Sequence, residues 1–181
     1  MLLLTNTFLN RKVMSLRNGR PVAVSLEAII NPNNLKIEGL YCHDSIDKKL
    51  LLVLLSQDIR DILPAGIVVN DHDVLSDPSD LIRLKKILDL NFSLIGKPVV
   101  TEHKKRLGKI NDYACDAETM FIQKLYVSQP LIKNIAGGSL SIDRNQIVEI
   151  TNRKIVVKDP LQLQKDQVRD AVPLLNTAPV A

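Results

Sequence analysis

The 181-residue chain has no tryptophan, three phenylalanines and three tyrosines. A surface that stacks bases or sugar rings relies on aromatic faces, so a stacking platform is not expected. Cysteine is equally scarce, with Cys42 and Cys115 each standing alone. Neither belongs to a Cys-x-x-Cys or Cys/His pattern, so no zinc site is signalled and two reduced, buried thiols are expected. No apolar run approaches the roughly 18 residues of a membrane span. The opening MLLLTNTFL lacks a basic lead and is too short and broken for a signal peptide. These features point to a cytoplasmic protein.

What is present is aliphatic. Hydrophobic residues make up 45% of the chain, mostly Leu, Ile and Val, enough to bury a core. The net charge is +4 and the isoelectric point is near 9.1, with bases and acids interleaved. The exception is Lys104-Lys105-Arg106, with Lys109 close by. Such a run suits either a solvated hairpin tip or a contact with phosphate or nucleic acid.

Residues 1–8 read as a lead-in or edge strand. From Leu9, short strands flank the hairpin signal Asn18-Gly19, where both residues tolerate positive φ. A second turn falls at Asn31-Pro32-Asn33-Asn34. The run Leu50–Leu55 reads as a fully buried strand, and Ile67-Val68-Val69 closes the first half. Asp77-Pro78-Ser79-Asp80 then resembles a helix start, and Leu81, Leu84 and Leu88 recur at helical spacing, predicting an amphipathic helix of about three turns.

The strand pattern then restarts and repeats the first half. Val13 corresponds to Val99, and Ile37, Leu40 and Tyr41 to Ile122, Leu125 and Tyr126. Ile59 and Ile62 correspond to Ile147 and Ile150, and Ile67-Val68-Val69-x-Asp71 to Ile155-Val156-Val157-x-Asp159. The order and spacing imply a duplication. Gly137-Gly138 reads as a turn, and the tail, with Leu161, Leu163, Val168 and Val172, as a short helix with a frayed end. The expected fold is therefore mainly β: two small tandem barrels at 1–76 and 92–160, a linker helix at 77–91 and a C-terminal helix and tail at 161–181.

In the second half, Gly96-Lys97-Pro98-Val99, Leu107-Gly108-Lys109-Ile110-x-Asp112, Ile142-x-x-x-Gln146-Ile147 and Ile155-Val156-Val157 resemble the PRC-barrel family. The first half departs from the pattern, with Ala23, Glu27 and Asn31 standing at the positions of Gly108, Asp112 and Asp116. The resemblance covers roughly Leu9 to Asp159. It implies small barrels that act by binding and scaffolding, as in the cytoplasmic domain of the photosynthetic reaction-centre H subunit and the C-terminal domain of a ribosome-maturation factor. Gly96, Gly108 and Asp112 are then framework residues.

His43 and His72 each stand beside aspartates, but neighbouring positions on a strand point to opposite faces, and a loop or strand end is the expected setting rather than a metal. His103 belongs to the basic hairpin. No catalytic, cofactor or metal residue is assigned. The expected activity is non-enzymatic interaction or scaffolding with a protein partner, and a homodimer is one form this could take. The alternative is an RNA- or ribosome-associated factor binding through Lys104, Lys105, Arg106 and Lys109. An enzyme or small-ligand binder, with its site in the cleft between the barrels, is a third reading.

Overall fold

A computed structural model describes residues 1–128 and 139–159. The chain opens with β1 (Leu2–Leu4) and one turn of helix, α1 (Thr5–Phe8). It continues through β2 (Lys12–Ser15), β3 (Pro21–Asn31), β4 (Lys36–Asp44), β5 (Leu51–Leu55), β6 (Ile59–Leu63), β7 (Gly66–Val69) and β8 (Leu75–Ser76). These seven strands from β2 to β8 form one sheet in the order β6-β7-β2-β3-β4-β5-β8. After α2 (Lys85–Leu88) come β9 (Pro98–Thr101), β10 (Arg106–Asp116), β11 (Ile122–Ser128), β12 (Ser139–Asp143), β13 (Ile147–Ile150) and β14 (Ile155–Val157). They form the second sheet, β13-β14-β9-β10-β11-β12, and β1 pairs with its long strand β10. The protein is mainly β.

Period-two burial explains why these segments are strands. Pro98–Thr101 alternates half-buried and buried, and so does most of Lys36–Asp44. Leu52, Val53 and Leu54 form the buried centre of β5. The Asn18-Gly19 hairpin is present, with Gly19 at φ 67°.

Corresponding positions of the two sheets have matching registers. Val13 lies opposite Ile67 in a parallel pair, and Val99 lies opposite Ile155 in another. The pairing of β3 with β4 slips between Ser25 and Glu27 and sets Glu27 opposite Tyr41; that of β10 with β11 slips between Ile110 and Asp112 and sets Asp112 opposite Tyr126. Each slip is a bulge, which bends a long strand so that it can curl around a core. Asn10 (φ 55°) donates its N–H to the Ser25 carbonyl, and Gly96 (φ 80°) donates to that of Ile110.

The sheets are joined by backbone as well as by packing. Lys36 and Phe121 form an antiparallel bridge in which the Ile37 N–H donates to the Met120 carbonyl at 2.9 Å and the Ile122 N–H to the Leu35 carbonyl at 2.8 Å. Leu35 and Met120 both have positive φ, 53° and 57°. This reciprocity is that of a two-fold interface, where residue i meets j and j meets i. β1, in the stretch expected with the first unit, pairs instead with β10 of the second sheet. Ile87, Leu88 and Phe92, which precede the second sheet, pack near Ile29, Ile30 and Tyr41 of the first. Each sheet's lead-in segment therefore lies against the long strand of the other. One continuous hydrophobic core results, running from Leu3 and Phe8 through Ile37 and Leu54 to Tyr113, Ile122 and Ile155.

Two expectations need correction. Neither sheet closes into a barrel among the described residues, since the strand order ends at β6 and β8 in one and at β13 and β12 in the other. The chain passes from β5 to β6, on opposite sides of the sheet order, through the three-residue 3₁₀ turn Ser56–Asp58, and from β12 to β13 through Arg144–Gln146. A corner this tight joins strand ends without laying the strands alongside one another, so no ladder closes the sheet.

The three-turn linker helix is also absent. Asp77 caps a 3₁₀ turn at Pro78–Asp80 through Ser79, Leu81 leaves helical geometry at ψ 63°, and only Lys85–Leu88 is α-helical. Helix nucleation is costly and a short helix is marginal without packing. Most of the bonds here are i→i−3 turns, which let Leu81, Leu84, Ile87 and Leu88 all become half-buried. The Gly137-Gly138 turn and the tail from Pro160, including the C-terminal helix, lie outside the described residues.

Candidate functional site

The basic run occupies the β9–β10 hairpin. Thr101 is buried and anchors it: its N–H donates to the Lys105 carbonyl at 2.9 Å, its carbonyl accepts from Lys104 at 2.9 Å, and its Oγ1 accepts from the Lys105 N–H at 3.2 Å. Lys104 takes φ 62° to complete the turn. Glu102, His103, Lys104, Lys105, Arg106 and Lys109 are all exposed, and the four cations form no ion pair among the described residues. Lys109 lies between Pro98 and Ser128 in register, and Ser128 lies opposite Ser139. This row of the second sheet is basic and hydroxylated. The matching row of the first sheet reads Lys12, Val24, His43 and Leu51. The same framework thus carries different surfaces.

The three framework residues occupy structural positions. Gly96 turns the chain into β9 at positive φ, where a Cβ would meet nothing and backbone conformation is the constraint. Gly108 (φ 156°) sits where β10 and β11 approach so closely that a Cβ would collide with the Ser128 carbonyl and come within 2.9 Å of Val127 Cγ1. Asp112, at the bulge, accepts from Thr5 Oγ1 at 2.6 Å and from the Tyr113 N–H at 2.8 Å, pinning the N-terminal segment to the second sheet.

One polar cluster pairs His72, weighed from sequence only beside its neighbouring aspartates, with a carboxylate 28 residues away. Asp44 ends β4 with only 4% exposure, accepts from the N–H groups of Ile46 and Asp47, and pairs with His72 Nε2. The His72 bond, first, and the two N–H groups hold the Asp44 carboxyl below its usual range, against the opposing effect of burial. Next to it, Asp71 accepts from the His72 N–H, from Ser15 Oγ at 3.0 Å and from Arg17 Nη1 at 3.3 Å, and these lower its pKa as well. The network ties the β2–β3 hairpin, the β4–β5 loop and the segment after β7 into one end of the first sheet. His43 lies on β4 with Nδ1 buried and unbonded. No group of three or more His, Cys, Asp or Glu side chains among the described residues could hold a metal.

Arg144 is the second residue that sequence reasoning missed. Nη2 donates to the Asn34 carbonyl at 2.6 Å, Nη1 to that of Ile122 at 3.3 Å, and the guanidinium lies 4.8 Å from the Phe121 ring centroid. It therefore grips both sheets at their bridge. Along the junction, a cavity of about 420 Å³ is lined by Met1, Leu3, Ile59, Arg60, Glu118 and Met120 among others. Cys42 and Cys115 are buried free thiols, each pushed up to about 12 by burial. A thiol so protonated is a poor nucleophile.

No helix among the described residues is long and apolar enough to cross a membrane. No family model matches the chain, and no curated protein matches it.

Proposed function

We propose that this chain is a non-enzymatic interaction or scaffold protein, a tandem duplication of PRC-like units working in the cytoplasm. The observation that carries the reading is the β9–β10 hairpin: four exposed cations, without an ion pair among the described residues, held on a buried threonine anchor. Groups of this kind contribute little to folding, and placed on a rigid element they suit recognition. The polar residues with several bonds, Asp112, Arg144 and Asp44, hold segments together. The matching registers and the reciprocal bridge support duplication.

The test is affinity capture followed by mass spectrometry, comparing the wild type with Lys104→Glu/Lys105→Glu/Arg106→Glu/Lys109→Glu at matched expression. A defined set of proteins lost only from the variant is the expected result. Identical captured sets would remove the hairpin as the binding site.

A second reading, RNA or ribosome association, is favoured by the register row beside the hairpin, where Lys109, Ser128 and Ser139 offer cations and hydroxyls to phosphate. Its test is RNA retention after replacing Lys104, Lys105 and Arg106 with Ala. Unchanged retention would sink it, and a bound RNA should show a salt slope that falls as cations are removed.

A further inference from the structure

The duplication gives the junction two equivalent sides, and a side chain spans only one of them. Arg144 and Ser56 are counterparts: each opens the 3₁₀ turn that leads into Ile147 in one sheet and Ile59 in the other. Their bonds correspond as well. Arg144 Nη1 donates to the Ile122 carbonyl, and Ser56 Oγ donates at 2.7 Å to that of Ile37, the counterpart of Ile122. Arg144 then reaches further, its Nη2 crossing the junction to the carbonyl of Asn34, beside Leu35 at the bridge. The counterpart of Asn34 is Thr119, beside Met120. Serine is too short to reach it, and the Thr119 carbonyl is left without that partner.

On this side lies the cavity of about 420 Å³. It is lined by Ser56, Ile59, Ile62, Glu118 and Met120, which correspond to Arg144, Ile147, Ile150, Asn33 and Leu35 on the filled side. Small-molecule sites occupy roughly 300–1,000 Å³, so this one is large enough for a ligand. Its charges suit a cation. Glu118 puts a carboxylate where the filled side has Asn33, and it is exposed with no ion pair among the described residues. Asp61 adds a second carboxylate at the rim. The Met1 amine is taken by Asp116 at 3.3 Å, and Arg60 directs Nε to Asn70 Oδ1 at 2.9 Å. Lys36 stands where Phe121 does, so the ring under the guanidinium is not repeated, and its charge is answered by Glu38 at 3.7 Å. Three cations (the Met1 amine, Lys36 and Arg60) therefore stand against four carboxylates (Glu38, Asp61, Asp116 and Glu118).

We infer that this cavity binds a guanidinium group carried on an aliphatic stem, the chemistry that Arg144 supplies from within the chain on the other side. The planar fork donates to the Thr119 carbonyl and to Glu118, and the stem lies along Leu3, Ile59, Ile62 and Met120. The site is separate from the basic hairpin of the second sheet, so it stands or falls apart from the proposed function.

The test is isothermal titration calorimetry of the full chain with three probes: agmatine, N-acetyl-arginine methylamide and N-acetyl-lysine methylamide. Both guanidino probes should bind, and the lysine probe should bind about tenfold or more weakly, because an ammonium does not reproduce the fork and loses a hydrogen bond to a charged group. Tighter binding of agmatine assigns the site to a small guanidino compound, and tighter binding of the blocked arginine assigns it to an arginine side chain of another protein; either supports the site. Ser56→Arg places a guanidinium there from within and should abolish binding of both guanidino probes, with a circular dichroism spectrum like that of the wild type. Glu118→Lys, on an exposed turn that tolerates substitution, should weaken binding about fivefold and keeps the test open if Ser56→Arg does not fold. Absence of binding by both guanidino probes, equal binding of the lysine probe, or undiminished binding to folded Ser56→Arg or to Glu118→Lys would each overturn the inference.

Discussion

Replacing Phe8 with Ala tests whether the two sheets share one core. Phe8 is fully buried, ends the single turn of α1 and places its ring 6.4 Å from that of Tyr113 on β10, tilted by 46°. It comes from the segment leading into the first sheet, yet it packs on a strand of the second. Truncating a buried Phe to Ala removes its transfer energy and leaves a cavity, at about 3–5 kcal/mol. A tilted aromatic pair adds roughly 0.5–1.5 kcal/mol beyond buried area. For a chain of this size each kcal/mol moves the melting temperature by about 2–4 °C, so a fall of about 7–26 °C is expected. Calorimetry with urea denaturation followed by both far-ultraviolet circular dichroism and tyrosine fluorescence is the assay. Because the core runs unbroken through both sheets, all probes should report a single transition that shifts as a whole. A loss under about 1 kcal/mol would refute the packing argument. Two resolved transitions, with only the second-sheet one displaced, would refute the shared core.

Gly108→Ala should destabilise strongly, because the new Cβ meets the backbone carbonyl of Ser128 and the left-hand φ is strained as well; Gly96→Ala, where only φ resists, should cost about 1 kcal/mol, and equal costs in urea denaturation would contradict this. Asp44→Asn should cost about 1–3 kcal/mol at neutral pH, as the carboxylate's bonds to His72, Ile46 and Asp47 weaken. The Asp44 pKa is lowered in the folded state, so its contribution is complete above the ordinary carboxylate value and is lost as pH falls through the lowered one. The variant's stability curve should therefore be flatter on the acid side. An acid limb identical to that of the wild type would show that other carboxylates carry it.

Much of the local structure was legible because it depends on neighbours in sequence. Alternation in Pro98–Thr101, Asn-Gly at the first hairpin tip and the isolated cysteines all act within a few residues, or exclude options outright. The linker failed for a physical reason. Leu81, Leu84 and Leu88 match a helical stripe, but the segment from Pro78 to Leu88 meets its burial needs with 3₁₀ and single α turns, and periodicity cannot separate these from a continuous helix. Closure of the sheets depends on whether edge strands lie alongside one another, which the corners at Ser56–Asp58 and Arg144–Gln146 decide.

By itself the sequence determined a mainly β chain with an aliphatic interior, free buried thiols, and an exposed basic hairpin at Lys104–Lys109. Each of these is a statement about composition or about residues close together. Only the tertiary structure decided that β1 serves the second sheet, that Arg144 reaches Asn34, and that Asp44 meets His72. Those partners are far apart in the chain. The bonds that unite them are set by sheet register and chain crossing, and no local pattern of residue types encodes either.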